Sequence, residues 1–366
     1  MTYGKLPGVY FTESVSRITT PTAKAPLFIV ESATALTTVD DQLVSYINLD
    51  AFKAVFTAEA FEPIVTFISN ALTEAGLQNA RFYVYKATAG TTSSFSSILV
   101  DSSNVDEIED VFYLEGVTGT GQSTLENKVK GLKAGAATCY LNGVNRICYV
   151  IPQKTIEAAV ADKDEGQTDE AAVVAKFSEL TTGVDSGRIA YIMPDDGDII
   201  SGRVIDSDYN EEVGYYAFNT AASTPTYNFN YSQMVALQDG GVMFIRGERL
   251  RGSVVYRVNL GVSTSFATNS ADGLLVCRRI ADEVLRQVKD VLDGYVKTPN
   301  DIDGGLVQLQ VDVDNVISRF VDAGEVFEDD TELTVEEGAN DYEFNVVGTI
   351  RPVRSTIAIN VNTTIA

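Results

Sequence analysis

Histidine and tryptophan are absent from the 366-residue chain, cysteine occurs three times, and basic side chains number 27 against 51 acidic ones. Each shortage excludes chemistry. Without histidine there is no Ser/His/Asp or Cys/His triad, no imidazole metal ligand and no side chain whose ordinary pKa lies near neutrality. Cys139, Cys148 and Cys277 are too few, and odd in number, for a disulfide framework. Cys277 falls inside a helical pattern as a small core residue, and no second pair joins Cys139 and Cys148 to complete a zinc site. The opening residues Met1-Thr2-Tyr3-Gly4-Lys5-Leu6-Pro7-Gly8 form no signal-peptide stretch, and no apolar run approaches the roughly 20 residues that span a bilayer. Folding in a cytoplasm is therefore expected. The formal charge of −24 repels phosphate backbones and anionic headgroups. No local basic patch stands out along the sequence to reverse that field, so neither nucleic-acid binding nor membrane insertion is expected. The acidic excess also suits a saline habitat, where acidic surfaces stay hydrated.

What is present suffices for a core, with 45% hydrophobic residues, and the length favours two domains or one with appendages. Residues 1–26 read as an extended arm. Pro7, Pro21 and Pro26 keep this segment out of helices and central strands, around the extended stretch Val9-Tyr10-Phe11-Thr12. From Leu27, short apolar runs at 27–31, 81–86, 111–114, 146–151 and 188–193 alternate with helical patterns at 61–72, 124–133, 170–180 and 198–207. That alternation predicts an α/β domain over 27–247, with surface insertions, built on a mixed, mostly parallel sheet.

After Gly247 the texture changes. Leu274, Cys277, Ala281, Val284, Val288, Val291 and Tyr295 make one apolar helical stripe, with Ser270 as N-cap. The opposite face carries Arg279, Asp282, Glu283, Arg286, Lys289, Asp290 and Asp293, and both Asp282–Arg286 and Arg286–Asp290 stand at i,i+4. Leu306–Val321 fits an alternating strand and a helix; the helical fit is longer and ends at Gly324, which favours helix. Strands at 332–335 and 342–350, around an acidic glycine-containing turn, complete a smaller α+β domain over 248–350. Residues 351–366 end in a strand-like arm with Ile357, Ile359 and Val361 on one face. Such a strand is marginal in water unless it closes its own sheet or joins a neighbour's.

The motifs argue mostly by their defects. Gly116-Val117-Thr118-Gly119-Thr120-Gly121-Gln122-Ser123 follows a strand and precedes a helix as a phosphate loop does. Gln122 stands where the phosphate-contacting lysine belongs, and a neutral amide cannot offset phosphate charge. Asp162-Lys163-Asp164-Glu165-Gly166 has its glycine one position early for a calcium loop, and Val173 replaces the bidentate glutamate. It reads as a solvated acidic loop, as do Asp195-Asp196 and Glu328-Asp329-Asp330. Asn142-Gly143, between Cys139 and Cys148, is a hairpin-like turn signal. No catalytic, metal or cofactor-binding set emerges.

The ends of the chain suggest a family. Leu6-Pro7-Gly8-Val9-Tyr10-Phe11-Thr12-Glu13 resembles the PGVY-x-x-E opening of contractile tail sheath proteins of myophages, R-type tailocins and related injection systems. Asp239–Gly247 is similar to the family's segment before its C-terminal domain. The order of a helix at 272–295, Thr298-Pro299-Asn300, a second helix, Ala323-Gly324, Pro352-Val353 and a terminal strand follows the family's C-terminal order. The resemblance covers both ends and roughly the last 130 residues, the middle matching only in α/β texture.

The resemblance implies a non-enzymatic structural subunit without cofactors, in the tail of a virion or injection particle assembled in a host cytoplasm. It would polymerise with itself, as hexameric rings or a six-start helix, around an inner tube, and contract to drive that tube through an envelope. Its partners would be the tube, baseplate and tail terminator proteins. The arms Val9, Tyr10, Phe11, Thr12 and Ile357, Ile359, Val361 would complete a neighbouring subunit's sheet on the template Tyr342, Phe344 and Val346. Arg279, Arg286 and Lys289 would mark a tube-facing helix. Family members often have an α/β domain of subtilisin-like topology; the missing histidine removes proteolysis by that route. Two other readings stay open: a degenerate nucleotide-binding α/β enzyme centred on Gly116–Ser123, and another tail protein such as a tube or baseplate component.

Overall fold

A computed structural model of the chain describes residues 25–36, 39–88, 95–105, 107–116, 124–142, 144–214, 218, 225–250, 253–293, 295, 302–337 and 344–353. It divides into two compact units, Met1–Leu275 and Val276–Ala366.

In the first unit the strands β1 (Leu27–Ser32), β2 (Leu43–Tyr46), β3 (Phe82–Thr88), β4 (Asp110–Leu114), β5 (Ile147–Ile151), β6 (Ile189–Ile192) and β7 (Val242–Met243) form one sheet in the order β2-β3-β1-β4-β5-β6-β7. Only β2 runs antiparallel to its neighbour. The α/β expectation of a mixed, mostly parallel sheet is met. Every residue of β1, β4, β5 and β6 is buried, so these strands are near-continuous apolar runs rather than alternating ones.

Helices α1 (Leu49–Lys53), α2 (Glu62–Glu74), α3 (Phe95–Asp101), α4 (Leu125–Leu141), α5 (Gln153–Ala161), α6 (Asp169–Thr181), α7 (Gly197–Asp206) and α8 (Tyr231–Asp239) cover the two faces. On one face Leu99, Leu132, Ile156, Phe177 and Leu237, from α3, α4, α5, α6 and α8, pack on Ile29, Tyr113, Val150 and Tyr191. On the other, Phe28 stacks on Phe112 at 5.5 Å and Phe112 on Tyr149 at 4.9 Å, with Phe52 edge-on to Phe82. Here α2 and α7 approach so closely that a Cβ at Gly202 would stand 2.6 Å from the Ala71 carbonyl oxygen.

Some details differ from the sequence reading. Helix α4 extends to Leu141, because its glycines are contact points: a Cβ at Gly135 would lie 3.0 Å from Leu99. Cys139 therefore lies in the last turn of α4, Asn142 caps that helix and Cys148 sits in β5, so the two cysteines do not flank a hairpin; Gly143 lies outside the described residues. Burial pushes the Cys148 thiol up to about 12, which removes it as a thiolate nucleophile at neutral pH.

Of Asp195-Asp196, read as a solvated loop, Asp195 is exposed but Asp196 is not. Pro194–Asp196 is a tight 3-10 turn leading into α7, and Asp196 is 4% exposed. Burial first, then the nearby charges of Asp195 and Asp198, push its carboxyl up to about 7. The raised value makes the folded state favour the protonated form. Its contribution to stability is complete below the unfolded value near 4 and lost as pH rises through about 7. Asp196→Asn cannot ionise, so the variant should melt higher than the parent at pH 8, by on the order of 2–4 kcal/mol, and match it near pH 4. Thermal melts across that range check this; equal melting at pH 8 would contradict it. The acidic stretches Asp162–Gly166 and Glu328–Asp330 are exposed, as expected.

After β7 the chain forms a two-stranded antiparallel ribbon, β8 (Ile245–Leu250) with β9 (Ser253–Val258). It then returns to the sheet: Asn259 exchanges bonds with Phe244, its main-chain N–H donating and its Oδ1 accepting, both at 2.9 Å, and the Thr264 N–H donates to the Ile189 carbonyl at 2.8 Å. These bonds keep residues up to Leu275 with the first unit, further along than the change of texture at Gly247 suggests.

The second unit contains α9 (Leu275–Asp293), α10 (Ile302–Asp322) and an antiparallel pair, β10 (Glu332–Glu337) with β11 (Phe344–Thr349). The ambiguous segment is helix: Leu309, Val313, Val316 and Phe320 bury one stripe of α10, and Gly324 at φ +74° ends it in the left-handed region.

Candidate subunit interface

The β10–β11 pair is the one place where the structure meets the predicted template strand. Leu333 and Val335 are buried, while Glu332, Thr334 and Glu336 face solvent. Gln310 of α10 accepts the Val335 N–H on Oε1 at 2.8 Å and donates from Nε2 to the Leu333 carbonyl at 2.9 Å. One side-chain amide thus occupies the outer edge of β10 as a paired strand would.

The consequence for β11 follows from strand geometry. Successive residues turn their main-chain groups to opposite sides, so if Leu333 and Val335 point toward Gln310, Glu332, Thr334 and Glu336 point toward β11. Their partners are Thr349, Val347 and Asn345. The main-chain groups of Phe344, Val346 and Gly348 therefore point to the far edge, which no strand occupies among the described residues. Val347 stays 43% exposed. An edge of this kind is a ready template for another strand. Phe344 and Val346, expected from the sequence as part of a strand, belong to β11; Tyr342 and the arm residues Val9, Tyr10, Phe11, Thr12, Ile357, Ile359 and Val361 lie outside the described residues.

Helix α9 buries Cys277, Ile280, Val284 and Val288 along the expected stripe. Its charged face is less solvated than the pattern implied. Arg279 is 5% and Asp282 7% exposed, while Arg286 and Lys289 are half-buried. Asp282 pairs with Arg278 at 3.2 Å. Arg286 is engaged by Glu283, whose carboxylate accepts from Nε at 2.8 Å, and by Asp290 at 2.9 Å. Glu283 and Asp290 stand three and four residues from Arg286, the spacings at which helix neighbours meet.

The crevice where an α/β sheet would bind a ligand lies at the carboxyl ends of β1 and β4, where the winding changes direction. It is filled by the protein's own side chains. Lys128 of α4 pairs with Glu31 at 2.8 Å, and the Tyr113 hydroxyl donates to the same carboxylate at 3.0 Å. Glu115 accepts both the N–H and the hydroxyl of Thr155, each at 2.8 Å, and burial raises its pKa. Gly116, first residue of the phosphate-loop-like motif, has a packing reason: a Cβ there would stand 1.9 Å from the Glu31 carbonyl oxygen. The rest of that motif, Val117–Ser123, lies outside the described residues. A shallow cleft of 630 Å³ beside it is lined by Glu115, Glu126, Asp162, Lys163, Lys176 and Glu179, a set with more carboxylates than amines. Among the described residues no cluster of three or more His, Cys, Asp or Glu is placed to hold a metal ion, and no helix is long and apolar enough to cross a membrane.

No family model matches the chain, and no curated protein sequence matches it. Solved structures do. The chain superposes on the anti-feeding prophage (AFP) helical sheath in its contracted state with a TM-score of 0.63 at 14% identity, covering 93% of each chain. It superposes on the contracted sheath of an extracellular contractile injection system, PVC, with a TM-score of 0.65 at 11% identity, covering 93% of this chain and 91% of that one. The likeness is one of fold: the chain has the α/β-plus-C-terminal-unit architecture of contractile sheath subunits, over nearly its full length.

Gln310, Gly348 and the Glu31–Lys128 pair were not singled out from sequence. A glycine inside the Val346-Val347-Gly348-Thr349 strand was a usable signal for close backbone approach. A lone glutamine on a helix carries none.

Proposed function

We propose that the chain is the structural subunit of a contractile sheath, polymerising around an inner tube in the tail of a virion or injection particle. The observation that carries this reading is the open edge of β11 beside a β10 edge already closed by Gln310. Within this pair, a strand supplied by another subunit would add at β11. The terminal arms, Val9 to Thr12 and Ile357 to Val361, have the extended or alternating composition such a strand needs, and exchange between subunits gives each a partner. The same exchange would keep subunits linked while the lattice passes from an extended to a contracted packing, the tube being driven forward as intersubunit burial increases.

Two features favour this over the nucleotide-binding reading. The carboxyl-end crevice is closed by paired side chains, and Gly116 is accounted for by its approach to β1. The chain carries no catalytic role in this account. Tube, baseplate and tail terminator proteins are the proposed partners, with Arg286 and Lys289 of α9 the residues of the tube-facing set nearest the surface. Electron microscopy of the purified chain tests the reading: hollow striated cylinders are expected, and thin smooth tubes would assign the chain to the tube instead.

A further inference from the structure

Past Thr349 the chain stays paired for a few residues more. The Phe327 N–H donates to the Arg351 carbonyl at 2.9 Å, the Val353 N–H donates to the Glu325 carbonyl at 2.7 Å, and Val326 and Pro352 bridge antiparallel between them. The tight turn Glu328–Asp330 takes up extra residues on the β10 side, so the β11 side runs on without a break. Arg351 fastens this extension further. Its guanidinium pairs with Asp330 and lies 5.2 Å from the centre of the Phe327 ring, and its N–H donates to the Thr331 hydroxyl at 3.0 Å.

These bonds fix which way Pro352 faces. Arg351 and Val353 turn their main-chain groups inward, so Pro352 between them stands on the outer side, in line with Val346 and Gly348. The free edge of β11 therefore runs out on a residue with no N–H to offer. The C-terminal arm follows directly. A tight return would lay Ile357 and its successors first along the outer side of Arg351–Val353, against Pro352. The intervening Arg354-Ser355-Thr356 has none of the Gly, Asn or Asp residues that tight hairpin turns use.

We infer that the extension Arg351–Val353 keeps the C-terminal arm off its own β11 and so leaves that edge for an arm from a second copy. This rests on the sheath reading, in which β11 accepts another subunit's strand. The block matters because of concentration. On so short a tether the chain's own arm would compete at about a millimolar, far above the concentration of other copies in dilute solution. A subunit closed on itself would have no edge to offer.

The test uses the full chain with Pro352→Val, Ser355→Asn and Thr356→Gly, which restores an N–H to the edge and a hairpin turn to the connection. Ser355→Thr with Thr356→Ser, which adds no turn residue, is the control. Two quantities are read: the concentration at which cylinders appear in electron microscopy, and hydrogen exchange at the Val346 and Gly348 amides in dilute monomer. The turn variant should need about tenfold or more protein to polymerise and should protect both amides, while the parent and the control leave them unprotected. A turn variant with the parent's threshold, a raised threshold without protection, or a parent monomer already protected at both amides would each overturn the inference. If the triple variant does not fold by circular dichroism, Ser355→Asn with Thr356→Gly replaces it; a smaller rise with partial protection is expected, and the absence of both counts against. A parent that never polymerises defeats the sheath reading and this inference with it. A polymerising parent whose dilute monomer is already protected defeats the inference alone.

Discussion

Gly348→Val abolishes polymerisation while leaving the α/β unit folded: that is the result expected from the geometry of β11. Gly348 sits at φ +153°, a backbone conformation open essentially to glycine alone. A Cβ there would stand 1.9 Å from the carbonyl oxygen of Glu332 and 2.9 Å from the Leu333 Cα. The obstacle is the partner strand's main chain, not the end of a flexible side chain, so no rotamer change relieves it. Strand β11 must move off β10, at a local cost of at least about 3 kcal/mol from backbone strain and lost pairing combined. The β10–β11 ladder would lose its hydrogen-exchange protection, whereas β4 and β5, buried in the other unit, would keep theirs. Cylinders formed by Gly348→Val at the parent's threshold would show that β11 is not the template.

The second large effect lies in the closed crevice. Lys128→Ala leaves the Glu31 carboxylate 7% exposed, with the Tyr113 hydroxyl for company and Glu115 nearby. Removing one partner of a buried pair typically costs about 3–5 kcal/mol, because the other charge stays buried without compensation. The loss also removes the ammonium from beside the rings of Phe95 and Tyr113, 6.0 and 5.9 Å away. For a unit of this size each kcal/mol lowers the melting temperature by roughly 2–4 °C, so a fall of about 10 °C is expected. Lys128→Met combined with Glu31→Gln should recover most of it, since no charge is left and the tyrosine still has an acceptor. A double variant no more stable than Lys128→Ala would mean the cost comes from packing and not from the unpaired charge.

How legible all this was depends on what each residue is doing. Strands β1, β4, β5 and β6 were readable because burial on both faces demands unbroken apolar runs. Helix α9 was readable because its stripe is long. The short elements β2, α1 and α3 went unrecognised, since five or so residues carry too little periodicity to distinguish from loop. The β8–β9 ribbon was missed for a different reason: Arg246-Gly247-Glu248-Arg249 has charges and a glycine where an alternating apolar strand pattern is sought. Asp196 was misjudged because a carboxylate normally signals solvent, and its burial is a property of the turn before α7. In the candidate interface, Phe344 and Val346 were legible as an alternating strand. That β11 rather than β10 offers the free edge was not, because it depends on Gln310 reaching a strand 23 residues further along the chain.

The central claim, that the chain is a self-polymerising sheath subunit joined through added strands, is tested most directly by electron microscopy of the full chain beside two deletions, residues 1–20 and everything after Arg354. The full chain should form hollow striated cylinders wide enough to enclose a tube, and each deletion should give a folded monomer that forms none. Cylinders built by either deletion, or a full chain that stays monomeric at high concentration, would contradict it.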